Sequence, residues 1–225
     1  MREITPYLFA TEVESTGFLK TFRRNSFFLK RECGNNFVIY NSTNLEFDEF
    51  WLRENGGVSR QYLSHNHEAS STCRWLQNTF ENGLYIHQFD AIGLREIADV
   101  SGTFNSSVKI GEDFEIITTP GHTLGSTCFY WTSPDGTRVM FTGDSLVPNK
   151  RGEWMLFLDE QTDQTESEML DSLNRLYHYN VDLVVPRGSE GEFEWKFTRP
   201  GEWEYIIDKA IVRLRTKLMH ISKRI

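Results

Sequence analysis

The feature of this sequence that most constrains its fold is a junction that recurs three times. A short apolar run stops, small residues follow, and a histidine or an aspartate comes next. Gln61-Tyr62-Leu63 runs into Ser64-His65-Asn66-His67; Phe114-Glu115-Ile116-Ile117 leads to Thr119-Pro120-Gly121-His122; Phe141 is followed by Thr142-Gly143-Asp144-Ser145. Apolar and β-branched runs closed by turn formers read as strands. The polar groups that can do chemistry therefore stand at strand ends, where a sheet can bring distant segments together.

The rest of the pattern fits sheets flanked by helices. Phe27-Phe28-Leu29 and Phe37-Val38-Ile39-Tyr40 flank Gly34-Asn35-Asn36 in a hairpin-like arrangement, and Arg138–Thr142 follows Thr127–Thr132 across the turn Ser133-Pro134-Asp135-Gly136. Helices are expected over 46–54, stopped by Gly56-Gly57, and over 71–81, ending before Gly83. Leu84-Tyr85-Ile86 and Val181–Val185 read as buried strands, the latter closed by Pro186. Leu170, Leu173, Leu176 and Tyr177 recur at helical spacing, as do Ile206, Ala210, Leu214 and Leu218. Strands and βα alternation occur in both halves, so the expectation is two sheets packed together with helices outside, formed by residues 1–225 as a single domain.

Composition narrows the partners. The chain of 225 residues carries a formal charge of −8, which opposes binding to phosphate backbones, so no nucleic-acid partner is expected. The basic residues Lys209, Arg213, Arg215, Lys217, Lys223 and Arg224 near the C-terminus read as a solvated helix face. Cys33, Cys73 and Cys128 form no C-x-x-C pair, which suits a reducing, cytoplasmic location. No apolar run is long enough to span a bilayer, and Met1–Pro6 carries no apolar leader segment, so no membrane partner is expected either.

Three imidazoles and a carboxylate make a sensible first set of ligands for one divalent metal. His65 and His67, one residue apart, project to the same side if the segment is extended. Pro120 and Gly121 turn the chain and expose His122, and Asp144 ends its own strand. His87 reads as a packed or supporting histidine, His178 and His220 as surface residues on helices, and Cys73 as core packing.

In order and context these motifs resemble those of the metallo-β-lactamase superfamily, whose signature is H-x-H-x-D-H, then a glycine–histidine turn, an aspartate after a strand, and a final histidine. Ser64–Ser70 resembles the first half of the signature, Thr119–Ser126 the histidine turn, Phe141–Leu146 the aspartate segment, and Leu84–His87 with Asp90-Ala91 the usual continuation. The resemblance runs from about Phe27 to Gly191 and implies a four-layer αβ/βα sandwich, in the α/β class, with two mixed sheets and helices on the outer faces. It also implies a loss. Ala69 and Ser70 stand where the family has an aspartate and a histidine, and Val184-Val185-Pro186-Arg187-Gly188-Ser189 holds no histidine. In the family those three groups hold the second metal, so the expected site is reduced to one: His65, His67, His122 and Asp144.

Three functions follow from that reduced site. One zinc could serve the hydrolysis of a small-molecule ester, thioester or lactone, with Asp144 as the catalytic residue that completes the ligand set or takes the water's proton. His65, His122 and Asp144 alone form a 2-His-1-carboxylate set that suits iron and an oxygenase. The third reading is a degenerate, non-catalytic binding protein. Glu68, following on an extended segment, is expected to point away. Arg187 is expected to hold a substrate carboxylate or pair with Asp144, replacing the lost metal's charge. Trp154, Met155, Phe157 and Leu158 are weighed as a groove wall against ordinary core packing. A bulky side chain such as Arg187 plugging the groove would argue against catalysis.

Overall fold

The computed structural model describes residues 1–16, 22–32, 34–158 and 165–222, with Thr16, Thr165 and residues 217–222 described through their backbone alone. Cys33, Lys223 and Arg224 therefore lie outside the described residues, as do the side chains of Lys217 and His220. Two large sheets dominate. The first has the strand order Arg2–Thr5, Leu8–Ala10, Phe27–Leu29, Phe37–Ile39, Arg60–Tyr62, Gly83–His87, Gly102–Phe104. The second has the order Val108–Ile110, Phe114–Thr118, Thr127–Thr132, Arg138–Gly143, Leu183–Pro186, Lys196–Phe197.

Pairing follows connection length. Strands joined by tight turns are antiparallel, as in Phe27–Leu29 with Phe37–Ile39 and Thr127–Thr132 with Arg138–Gly143. Where a helix intervenes the pairing turns parallel, because only a crossover returns the chain to the same end. Helices Glu49–Glu54, Ser71–Phe80 and Gln88–Ala91 create three such pairs in the first sheet, and Thr165–Leu176 creates one in the second.

Period-two alternation within the strands builds three apolar interfaces. Phe27, Leu29, Phe37 and Ile39 face Phe114, Ile116, Phe129, Trp131, Phe141, Leu183 and Val185, which puts one core between the sheets. Their neighbours Phe28 and Val38 point the other way, toward Leu45, Leu52 and Leu76 of the helical side. On the far face Ile117, Cys128, Met140 and Val184 meet Met169, Leu173, Trp203, Ile207 and Leu214 from helices Thr165–Leu176 and Glu202–Ser222. Helix, sheet, sheet and helix succeed one another, which is the αβ/βα sandwich expected from the sequence. Among the described residues no helix is long and apolar enough to cross a membrane.

Two helix ends differ from expectation. The helix from Ser71 stops at Phe80, and Glu81 takes the left-handed conformation (φ 56°), because Gly83 is already the first residue of the next strand. His178 is exposed as expected, but it stands in the turn after helix Thr165–Leu176 and not within it.

Candidate metal centre

The strand Arg60–Tyr62 delivers Leu63 and Ser64, both fully buried, to the end of the first sheet. His65 is still extended (φ −167°, ψ 171°), but Asn66–Glu68 then closes a 3₁₀ turn. This corrects the extended H-x-H geometry. It is the turn that brings the rings of His65 and His67 together, with centroids 5.2 Å apart at 89°. It also corrects the expectation for Glu68. The turn swings its carboxylate back beneath His65, where it is fully buried and accepts from the Ser64 backbone N–H (3.0 Å) and from Ser64 Oγ.

His122 comes from the loop after Phe114–Thr118. Gly121 has φ 150°, and a Cβ there would lie 2.6 Å from Met169 Cε and 2.9 Å from Met169 Cβ, so only glycine lets the loop lie on helix Thr165–Leu176. The turn forms as expected, but it carries the ring inward: His122 is 5% exposed, and its Nδ1 lies 3.0 Å from the carbonyl of Phe157. Asp90 ties the two histidine turns together by accepting from Thr123 Oγ1 (2.7 Å) and from the Asn66 N–H (3.2 Å). In the sequence Asp90 stood out only as part of the resemblance.

Asp144 follows Gly143, whose φ of 56° and close packing on Ser64 Oγ exclude a side chain. The buried Tyr40 hydroxyl accepts from Gly143 N–H (2.8 Å) and donates to the Val185 carbonyl (3.1 Å). It thereby braces the two parallel strands at their ends, where the register slips between Phe141 and Gly143. The Arg187 N–H donates to the Gly143 carbonyl (3.1 Å), which brings Arg187 alongside Asp144.

The four residues singled out by sequence converge. His65, His67 and His122 each offer a ring nitrogen within 4.8 Å of the other two, and their rings stand at 83–89° to one another. Such mutually perpendicular rings can aim three lone pairs at one point. Asp144 Oδ2 lies 3.3 Å from His65 Nε2 and 3.6 Å from His122 Nε2. Both Nε2 atoms and Asp144 Oδ1 are buried with no hydrogen-bond partner among the described residues. Buried polar atoms are otherwise almost always satisfied, so this cluster of orphans fits a ligand set for a cation. His67 is exposed, which leaves the cluster open to solvent on that side.

Charge is unevenly distributed. Burial works against the His65 imidazolium, but the Asp144 and Glu68 carboxylates outweigh it and raise the ring to about 9. Burial and the neighbouring His65 charge push His122 down to about 4 and lower His67 as well. Burial raises the Asp144 carboxyl, but His65, Arg187 and His122 more than compensate and hold it well below the usual carboxylate range. Arg187 is itself buried. Its Nη1 lies 3.4 Å from Asp144 Oδ2, its Nη2 3.5 Å from the His67 carbonyl, and its Nε 3.9 Å from Glu68 Oε1. Of the two roles expected for Arg187, the structure shows the pairing with Asp144.

The two residues after Glu68 have structural duties. Ser70 caps helix Ser71–Phe80 by accepting from Thr72 N–H (3.3 Å) and also accepts from Asn41 Nδ2 (2.8 Å), while Ala69 packs against a small apolar cluster. His87 caps the next helix by accepting from Phe89 N–H (3.3 Å) and lies outside the cluster. Cys73 is buried in the core, and burial pushes its thiol up to about 12. The segment after Asp144 is split. Trp154 is core, Leu158 packs against that core, and Met155 and Phe157 are exposed, with the Phe157 ring 5.5 Å from that of His122. In the basic C-terminal stretch Arg213 is partly engaged, donating to the Trp154 carbonyl.

No family model matches the sequence. Solved structures do resemble the fold along most of its length. A HARLDQ-motif mutant of a metallo-β-lactamase from Cronobacter sakazakii superposes with a TM-score of 0.72 at 13% identity, covering 100% of this chain and 98% of that one. The metallo-β-lactamase MIM-1 from Novosphingobium pentaromativorans gives 0.65 at 11% identity, covering 89% and 86%. A metallo-β-lactamase from Staphylococcus aureus gives 0.65 at 15%, covering 92% of this chain and 67% of that one. The chain has the metallo-β-lactamase fold.

Proposed function

We propose that the protein is a hydrolase of a small acyl compound (an ester, thioester or lactone) that works with one divalent metal, zinc, held by His65, His67, His122 and Asp144. The observation that carries this reading is the pair of buried, partnerless Nε2 atoms of His65 and His122, set within reach of His67 on the fold of metal-dependent hydrolases. A zinc ion held by three histidines supplies a hydroxide near neutral pH and polarises a carbonyl. The protein's own residues do the rest. Asp144 Oδ1 is the free carboxylate oxygen that can take a proton from the attacking water. His65 and Arg187 hold Asp144 as an anion and a weak base, which suits it better to ligate the ion than to store a proton, and Arg187 supplies a fixed positive charge beside it. The exposed His67 marks the side from which substrate enters.

The guanidinium supports a single ion: Arg187, paired with Asp144 and 3.9 Å from Glu68, already puts one fixed positive charge beside the cluster, and a second dication would be met by it. The net charge of −8 further favours a small-molecule substrate over a nucleic acid.

Two other readings each rest on an observation. Asp144 Oδ2 faces both His65 and His122, the 2-His-1-carboxylate set of an iron oxygenase. The buried contact of Arg187 with Asp144 favours a protein in which the guanidinium takes the metal's place and catalysis is gone. Elemental analysis of purified protein, paired with His122→Ala, separates the three. About one equivalent of zinc, lost in the variant together with ester or thioester hydrolysis, is the expected result. One equivalent of iron moves the assignment to oxygen chemistry, and protein that refuses added zinc leaves only the non-catalytic reading.

A further inference from the structure

Resting on the metal centre just proposed, we infer that Ser64 and Glu68 form a two-step relay that fixes which nitrogen of His65 faces the metal, and that Glu68 is thereby a positioning residue for the site. Sequence spacing alone sends Glu68 away from the cluster; the 3₁₀ turn Asn66–Glu68 brings it back.

The argument is a count of protons. A hydroxyl has one hydrogen to give. Ser64 Oγ gives it to Glu68 Oε1, a carboxylate oxygen with no hydrogen of its own. Ser64 Oγ also lies 3.0 Å from His65 Nδ1, and with its hydrogen spent it can only accept there. Nδ1 must therefore be the protonated nitrogen, and Glu68 Oε1, itself 3.3 Å from Nδ1, reinforces that choice. The lone pair of the neutral ring is then on Nε2, the nitrogen left partnerless beside Asp144 and His122. The relay cannot slide away. Ser64 is held by the Thr127 N–H on its carbonyl (3.0 Å), and its side chain packs where a Cβ on Gly143 would stand. Glu68 is anchored by the Ser64 N–H and by Asn41 Nδ2 on its carbonyl (3.0 Å). His122 reaches the same end more simply, with Nδ1 against the Phe157 carbonyl. Because a carbonyl can only accept, that ring too presents Nε2.

Glu68→Gln keeps the shape but lets the amide donate. The Ser64 hydrogen can then turn to Nδ1, and the ring can carry its proton on Nε2, where it cannot ligate. The test uses cobalt(II) in place of zinc. In the cobalt-loaded wild type, proton NMR should show a hyperfine-shifted, slowly exchanging N–H from His65 Nδ1. Glu68→Gln should lose the slow exchange of that resonance and bind cobalt about 10–100-fold more weakly, the range seen when a partner behind a ligating histidine is removed. Ser64→Ala should lose less, since Glu68 can accept from Nδ1 directly. Folding of each variant is checked by circular dichroism. A folded Glu68→Gln protein that binds cobalt as tightly as wild type overturns the relay while leaving the metal centre standing. Should that variant not fold, the wild-type spectrum decides: a His65 that ligates through Nδ1, with no N–H at that nitrogen, overturns it as well. Wild type that takes up no cobalt overturns both the centre and the relay.

Discussion

The two walls of the cluster have different chemistry. On one side stand His65, His67 and His122, with two buried nitrogens lacking partners and a third ring open to solvent. On the other stand Arg187, Glu68 and the capping Ser70, already engaged with each other or with backbone. The histidine wall presents two partnerless ring nitrogens to a shared point; the arginine wall is held by ion pairs, although Arg187 Nε and Glu68 Oε2 also lack hydrogen-bond partners among the described residues. Arg187 places one fixed positive charge on that side, held at the strand ends through its N–H on the Gly143 carbonyl.

The largest effect should come from breaking the arginine wall. Arg187→Met removes the guanidinium between two buried carboxylates. Leaving buried charge uncompensated costs about 3–5 kcal/mol, which in a chain of this size lowers Tm by roughly 10 °C. Added zinc should restore part of that loss, because a dication meets the same carboxylates. Thermal melts with and without metal check this; a variant as stable as wild type would mean that Arg187 is ornamental and the two walls are equivalent.

The walls should also titrate in different windows. In metal-free protein the His65 ring is raised to about 9 from an ordinary 6.5, so its contribution is fully present below pH 6.5 and is lost as pH rises through 9. Metal binding there runs the opposite way and strengthens with pH, because the ring must give up its Nε2 proton. The arginine wall is supported by the small sheet in which Gly188–Ser189 pairs with Phe22–Arg24 and that with Glu14–Thr16. Burial raises Glu14, but the Arg24 bridge and the Thr43 N–H overcome it and lower the carboxyl to about 2. Its contribution is present above pH 4.5 and is lost as pH falls toward 2. Stability curves of metal-free protein should therefore fall at both ends. Glu14→Gln should flatten only the acid arm; Asp144→Asn should flatten the alkaline arm and, because the Asp144 carboxyl is itself held well below the usual range, part of the acid arm as well. If Glu14→Gln flattened the alkaline arm, or Asp144→Asn left that arm unchanged, the two windows would not belong to the two walls.

What was legible in the sequence divides along a physical line. Strand alternation in Phe27–Leu29 or Thr127–Thr132 and helical spacing in 206–214 are local signals, and they placed the layers. Residues at strand ends announced His65, His67, His122 and Asp144, and these four converge. What escaped was set by single dihedrals and by contacts far apart in sequence. The 3₁₀ turn at Asn66–Glu68 reverses Glu68, and no residue type there demands such a turn. Asp90 bridges two loops that only the assembled sheets bring together. Tyr40, with φ 67° in a residue type that rarely adopts it, reads in sequence as one more apolar strand residue.

Tyr40 supplies the smallest effect and a direct probe of how the walls are joined. Its hydroxyl accepts from Gly143, next to Asp144, and donates to the carbonyl of Val185, two residues before Arg187. Tyr40→Phe leaves the ring packed against Phe27 and Phe141 but strands a buried N–H and a carbonyl. One such loss costs about 1–3 kcal/mol, hence a fall in Tm of several degrees. Because the hydroxyl braces both strands without touching a histidine, cobalt affinity should fall by less than about tenfold, short of the loss for a partner bonded to a ligand. A variant that kept its Tm but lost metal binding would place Tyr40 within the histidine wall itself, and the division between the two walls would have to be redrawn around it.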